Sequence, residues 1–305
     1  MIDIAVVGCG IAGLTAALYS ARGGMKTRVF EQMLPGGQAA SILKLENYPG
    51  FPQGVNGADL LAAAMAQAEA AGAEISYQPV EKLKPGRGNE PHLLITGQGE
   101  LEARAVIVAT GATPRKLGVA RENELTGRGV SYCATCDGAL YRGKNVAVVG
   151  GGDTALTDGL VLANYANQVY IIHRRDRFRG SRVLQDKAEA TSNINLLMNR
   201  VVKELRGEGK LEELLVRDVV TDLERPLAVT GLFVAVGISP ETQFLEGVVT
   251  LTPSGQVVTD RHLRSSVPRI YAVGDCRDTP LRQVVTAAAD GAVAASAAVE
   301  ELLGH

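Results

Sequence analysis

Cysteine is scarce in this chain. There are four in 305 residues (Cys9, Cys133, Cys136 and Cys276), and two of them stand far from any other. So few, so scattered, cannot form a disulfide framework, and a reducing compartment, the cytoplasm, is expected. An excess of one charge is also missing, because 31 Lys and Arg against 33 Asp and Glu leave −2, and only Arg174 to Arg182 gathers several cations. Binding to nucleic acid or a membrane surface would need a basic face that this composition does not supply. Long apolar runs are absent too. The stretch "AAAMAQAEAAGA" is short and interrupted by charge, so no membrane span is expected. The opening "MIDIAVVG" has no basic segment, apolar core or cleavage site of a secretory leader, and reads directly as a strand. What remains is a chain with room for two domains and a composition suited to small-molecule chemistry.

Glycine is present where it carries meaning. In "IDIAVVGCGIAGLTAALYS" a β-branched run ends in Gly8-x-Gly10-x-x-Gly13 and passes into an Ala/Leu-rich helical pattern. Gly8 allows the turn, Gly10 lets a pyrophosphate approach the backbone, and Gly13 lets helix pack on strand, with the helix N-terminus facing the anion. A second strand, "KTRVFE", ends in Glu31, an acid placed to bind ribose hydroxyls.

The plan recurs in "NVAVVGGGDTALTDGLVLANYANQVYIIHRRDRFR", as Gly150-x-Gly152-x-x-Ala155 followed by the strand "QVYII". From Gly8 to Glu31 is 23 positions, and the same count from Gly150 reaches His173, with Arg174 and Arg175 next and Arg179 close behind. An acid at that position would repel a 2′-phosphate, whereas arginine forks bind it, so the second copy is expected to take NADPH. A flavin dinucleotide suits the first copy.

Two similar strands, "AVIVATGATPR" and "GLFVAVGISPET", bracket the second copy. The expected fold is therefore α/β: two Rossmann-like, three-layer nucleotide-binding domains, with the NADPH domain (114–240) inserted into a discontinuous FAD domain (1–113 and 241–305). In the tail, "SVPRIYAVGDCRDTPLRQVVTAAADG", Asp275 reads either as a turn cap or as a group that holds a ribityl chain. The long Ala/Val-rich helix that follows aims its N-terminus, near Gln283 and Val284, at whatever the first copy binds.

Cys133-Ala-Thr-Cys136 is half of a zinc site at most. No second Cys-x-x-Cys or His pair completes it, and no metal is expected. Two inert thiols or a redox-active pair remain, and the tight ring together with the adjacent Asp137 favours the second. Cys9 and Cys276 read as small buried residues.

Together "GRGVSYCATCDG", "VVGGGDTAL", "IIHRRDRFR", "MLPGGQA", "LENYPGFP" and "LRQVVTAAADG" resemble the low-molecular-weight thioredoxin reductase family, along essentially the whole chain. The resemblance implies an NADPH-dependent FAD enzyme, a homodimer, whose protein substrate is thioredoxin. It puts FAD on Gly8, Gly10, Ala12, Gly13, Glu31, Gly36, Gly37, Gln38, Asn47, Thr110, Gly111, Asp275, Arg282, Gln283 and Val284. It puts NADPH on Gly151, Gly152, Asp153, Thr154, His173, Arg174, Arg175 and Arg179. Cys136 would face the flavin, Cys133 would attack the substrate disulfide, and Asp137 would be the acid. The inserted domain is expected to swing about crossings near Thr113 and Ser239. The chain departs from the family pattern at Ala139 and Leu140, where aromatics are common, at Ile238 in place of a histidine, and at Thr157 and Asp158 in place of two glutamates.

Overall fold

In a computed structural model of the chain, all residues are described except 33–35, 43 and 305, and Ser41 by its backbone alone. Residues 33–35 of the "MLPGGQA" motif thus lie outside the described residues. The chain divides into two compact units, Met1–Thr113 with Ser239–His305, and Pro114–Ile238.

The first unit is built on a seven-stranded sheet. Its path runs Glu74–Tyr77, Thr27–Glu31, Ile2–Val7, Gly99–Val108, His92–Thr96, Val80–Lys84, and Ile270–Ala272 also pairs with Gly99–Val108. The strand Gly99–Val108 serves two sheet types. Its first half pairs antiparallel with His92–Thr96 (Thr96↔Gly99, His92↔Ala103), and its last residues pair parallel with Ile270–Ala272 (Ile270↔Val106). Burial follows the switch: Gly99, Glu100 and Glu102 are exposed, whereas Ala105 to Val108 are fully buried, as a parallel strand covered on both faces requires.

Along Ile2–Val7 alternate side chains enter two different cores. Ile4 and Val6 pack with Leu14, Ile107 and alanines of the helices Ile11–Arg22 and Val284–Leu303, while Ala5 and Val7 pack with Phe30, Leu83, Leu94 and Val257. Among the described residues, α-helices therefore cover only the first face. The two helices approach closely through small residues; a Cβ at Gly291 would lie 2.2 Å from the Ala12 carbonyl oxygen. Val284–Leu303 starts in a capping box between Gln283 and Thr286 and stops at Gly304, in left-handed conformation.

The second unit has a five-stranded, all-parallel sheet in the order Ile194–Met198, Gln168–His173, Asn145–Gly150, Gly231–Ala235, Val130–Ser131. Helices Asp153–Ala163 and Arg182–Ala190 cover one face through Ala155, Leu156, Leu162 and Ala188. The other face is covered by an antiparallel sheet, Arg200–Arg206, Glu213–Asp218 and Glu224–Ala228, through Val202, Leu205, Leu214 and Val216. The α/β class and the two Rossmann-type folds expected from the glycine motifs are present.

Candidate functional sites in the two units

In the first unit the strand Ile2–Val7 delivers the chain to Gly8 at φ +109. A Cβ there would sit 2.4 Å from the Ala109 carbonyl oxygen, and one at Gly13 would sit 2.0 Å from that of Gly8. Gly10 differs, because a Cβ at that position would meet nothing within 4 Å. Two glycines are thus occupied by the fold, and the third opens onto free space at the N-terminus of Ile11–Arg22, where a pyrophosphate fits. Ala12 is buried in that helix's first turn.

Glu31 reaches back beneath this loop, and its Oε2 accepts the Cys9 amide N–H at 2.9 Å. Glu31, Gly8 and Thr110 border a cleft of about 740 Å³ together with Gln32 and Val80. Elsewhere in this unit, Asn47 Nδ2 donates to Gln283 Oε1 at 2.9 Å across 236 positions of sequence, and Gln38 donates to the Ala112 carbonyl. Gly36, Gly37 and Gly111 all have positive φ. Val284 opens the last helix.

Among the described residues, several polar groups here lack partners. Arg282 Nε is buried without an acceptor, and Thr110 Oγ1 is buried with only the Cys276 thiol beside it. Asp275, on the turn Gly274–Cys276, accepts no hydrogen bond among the described residues. Burial raises its carboxyl above the usual range, with Arg282 opposing and Asp290 adding. Unmatched donors and acceptors beside an open glycine cradle fit a ligand with a pyrophosphate and a polyol chain.

In the second unit the pattern repeats. A Cβ at Gly150 would be 2.4 Å from the Ala235 carbonyl oxygen, one at Gly151 would be 2.0 Å from the His173 ring, and one at Gly152 would meet nothing within 4 Å. His173 is 6% exposed. Its Nε2 is 3.0 Å from the Arg177 carbonyl, and its ring stacks on Phe178 at 5.3 Å between centroids. Burial, with Arg175 and Arg179 nearby, holds its pKa below the ordinary histidine value, so the neutral ring supports the loop. Arg174, Arg175 and Arg179 stay exposed and form no ion pair among the described residues. The Arg179 amide donates to the Gly151 carbonyl at 2.7 Å, and Ser181 N–H to Asp153 Oδ1 at 2.6 Å, which pins the basic loop beside the cradle. Thr154 is exposed on the first turn of Asp153–Ala163. Arg177 carries a fourth exposed cation that counting from Glu31 did not mark.

Cys133 and Cys136 are joined, with S–S 2.18 Å and Cα–Cα 5.3 Å. They follow the strand Val130–Ser131, which is parallel to Asn145–Gly150 with Gly231–Ala235 between, so disulfide and glycine loop both leave the carboxyl ends of strands of one sheet. Cys133 caps the short helix Ala134–Asp137, its Sγ accepting the Cys136 amide N–H at 3.2 Å. Ser131 Oγ accepts Cys133 N–H at 3.1 Å and donates to Asp137 Oδ2 at 2.7 Å. Burial raises the Asp137 carboxyl, against the lowering effect of that Ser131 bond. Ser131 escaped the sequence reading, although a hydroxyl two residues before a strand-end cysteine is a usable signal. The other cysteines are buried thiols. Desolvation pushes Cys9 up to about 12 and Cys276 up to about 11, which keeps both protonated and unreactive. Among the described residues no His, Cys, Asp or Glu cluster could hold a metal, and no helix is long and apolar enough to cross a membrane.

Residues 2–291 match the pyridine nucleotide-disulphide oxidoreductase family. The chain belongs to that family. Within it, the chain is 41% identical over 304 residues to a thioredoxin reductase of Listeria innocua, covering 98% of this chain and 94% of the relative. It is 40% identical to that of Bacillus subtilis, covering 98% and 95%. Among solved structures, thioredoxin reductase from Streptococcus pyogenes MGAS5005 superposes with a TM-score of 0.93 at 39% identity, covering 100% of this chain and 98% of that one. The enzyme is thus of the thioredoxin reductase kind, and its cofactors are FAD and NADPH. The two open glycine cradles, one with an acid and one with arginines, fit that pair.

Proposed function

We propose that the enzyme takes electrons from NADPH, through FAD, to the Cys133–Cys136 disulfide and on to thioredoxin. The observation that carries this reading is the coincidence, at the carboxyl end of one parallel sheet, of a disulfide, an acid held against it through Ser131, and an open glycine cradle flanked by exposed arginines.

When bound, FAD supplies two-electron chemistry between a nicotinamide and a disulfide. Its binding is assigned to Gly8, Gly10, Ala12, Gly13, Glu31, the Gly36–Gln38 loop, Asn47, Thr110, Gly111, Asp275 and Arg282 to Val284. NADPH is assigned to Gly151 to Thr154 and the arginines, with His173 beneath them.

Breaking the Cys133–Cys136 bond takes up two electrons and one proton and leaves one thiolate and one thiol. The thiolate belongs on Cys133, because the Cys136 amide points at its sulfur. That thiolate attacks the substrate disulfide, forming a mixed disulfide and expelling the other substrate sulfur, which receives the Asp137 proton. Asp137 then takes the Cys136 proton. Cys136 attacks the Cys133 sulfur, restores the enzyme disulfide and frees the second substrate sulfur. Burial shifts Asp137 towards its protonated form, the direction that proton donation to the leaving sulfur requires. A thioredoxin dithiol near about −270 mV needs a donor as reducing as NADPH.

Both half-reactions need access to one flavin. We assign this to rotation of Pro114–Ile238 about its two crossings, where Gly111 (φ +71) and Gly237 (φ +116) flank the paired strands Ala112–Pro114 and Ile238–Pro240. By family resemblance the active form is a homodimer, which light scattering would test, acting in the cytoplasm.

The deciding experiment is anaerobic titration with NADPH, then NADH, then oxidised thioredoxin, following flavin absorbance. NADPH should bleach the flavin, and thioredoxin should restore the colour; in Cys133→Ser the bleaching should persist and thioredoxin should lose its effect. If a ferredoxin system bleaches the flavin and NADPH does not, the reading is wrong.

A further inference from the structure

Glu122 is a buried carboxylate, 3% exposed, that forms no ion pair among the described residues. Three donors converge on it. Leu117 N–H reaches Oε1 at 2.8 Å, Gly118 N–H reaches Oε2 at 2.8 Å, and the Tyr132 hydroxyl reaches Oε1 at 2.8 Å. The Thr126 hydroxyl, which donates to the Glu122 carbonyl at 2.8 Å, also borders the Tyr132 oxygen. A buried carboxyl is costly unless it is hydrogen-bonded, and here three donors offset that cost. The chain also enters the short helix Glu122–Leu125 through Arg121 at φ +66, a left-handed conformation that an arginine adopts rarely. Such an arrangement persists where it holds something in place.

What it holds lies immediately before the disulfide. Tyr132 is the neighbour of Cys133 and packs into the core beneath the antiparallel sheet, whereas Ala134, on the other side of Cys133 in sequence, packs into the core beneath the helices. Ser131 bonds to Cys133 N–H and Asp137, while Tyr132 bonds to Glu122. The redox turn is therefore gripped from both sides. Glu122 in turn grips Leu117 and Gly118, close to the start of this unit at Pro114. Burial and the Glu122 carboxylate push the Tyr132 hydroxyl up to about 12, so it remains a donor throughout the working pH range.

We propose that Glu122 is a positioning residue of the redox turn: through Tyr132 it fixes the backbone ahead of Cys133 and so keeps the Cys133 sulfur under the Cys136 amide in the reduced enzyme. This rests on Cys133 being the nucleophile. Packing alone does not account for the contact, because a phenylalanine ring would fill the same space without the hydroxyl.

The test uses FAD-loaded enzyme carrying Cys136→Ser, in which Cys133 is the one half-exposed thiol beside the buried Cys9 and Cys276, and follows iodoacetamide alkylation against pH. Adding Tyr132→Phe should slow alkylation at neutral pH about fivefold, the equivalent of one hydrogen bond, and move the profile to higher pH. Glu122→Gln should do the same, and NADPH bleaching of the flavin should be unchanged in both. Alkylation profiles that superimpose on the parent's would overturn the proposal, whether or not the thermal midpoint falls. Failure of the enzyme with both cysteines to reduce thioredoxin would instead sink the activity assignment, which this alkylation comparison does not use.

Discussion

The hydroxyl of Ser131 donates to Asp137 Oδ2 at 2.7 Å while accepting the Cys133 amide, so one side chain holds both the acid and the nucleophile. That bond lowers the Asp137 carboxyl against the larger raising effect of burial. Removing it in Ser131→Ala leaves burial unopposed, and Asp137 should keep its proton to higher pH. The activity that needs protonated Asp137 is lost as pH rises through its pKa, so the alkaline limb of thioredoxin reduction should move upward. Turnover at neutral pH should fall about fivefold through the loosened Cys133 amide. An alkaline limb that stays put in a steady-state pH profile would separate Ser131 from Asp137.

Cofactor choice should reside in the exposed arginines, because His173 is buried under Gly151. Arg174→Ala combined with Arg175→Ala removes two charge-assisted contacts to a 2′-phosphate, and KM for NADPH should rise on the order of 100-fold. KM for NADH should hardly change. Equal losses with both nucleotides would mean that the arginines serve the loop and not the phosphate.

The glycine loops, Glu31 and the cysteine pair were legible in the sequence because each is a local pattern with a fixed period. The equivalence of Glu31 and His173 was legible as a count, yet the count could not show that one side chain reaches its glycine loop as an acceptor while the other is a buried ring packed beneath the loop and bonded to the Arg177 carbonyl. Long-range relations left no such trace. Asn47 meets Gln283 only because the sheet brings the last helix back over the first unit, and nothing in either local stretch marks the other. The strands and loops that cover one face of each sheet were not legible, because their short alternating runs carry a weaker signal than Ala-rich helices.

Acid should destabilise the first unit through His92. This side chain is fully buried on His92–Thr96, where Nδ1 accepts the Gly86 amide at 3.2 Å. Desolvation, with Arg269 nearby, lowers its pKa from 6.5 to about 4. Between those values the unfolded chain binds a proton that the folded one refuses. The contribution is therefore whole above about pH 6.5 and declines as pH falls towards about 4. Urea midpoints should drop over that window, and His92→Gln should flatten the drop. Parallel curves for the two proteins would exclude His92 as the cause.

The glycines separate folding from binding. At Gly13 an added Cβ would lie 2.0 Å from the Gly8 carbonyl oxygen, backbone that cannot step aside, so Gly13→Ala should destabilise the first unit by a few kcal/mol and depress expression. At Gly10 the same methyl would meet no protein atom within 4 Å, at φ −77, which any residue adopts. Gly10→Ala should therefore fold, with the circular dichroism of the parent apoprotein, yet purify with little flavin, because the methyl occupies the approach of a pyrophosphate to the helix N-terminus. Gly152 stands in the same relation to NADPH, with open space and extended backbone at φ −101. Gly152→Ala should keep its FAD and lose bleaching by NADPH, while dithionite still reduces the flavin. If Gly10→Ala retains full flavin, the open space at that glycine is not where the cofactor approaches, and the cradle has to be placed elsewhere along the cleft bordered by Glu31 and Thr110.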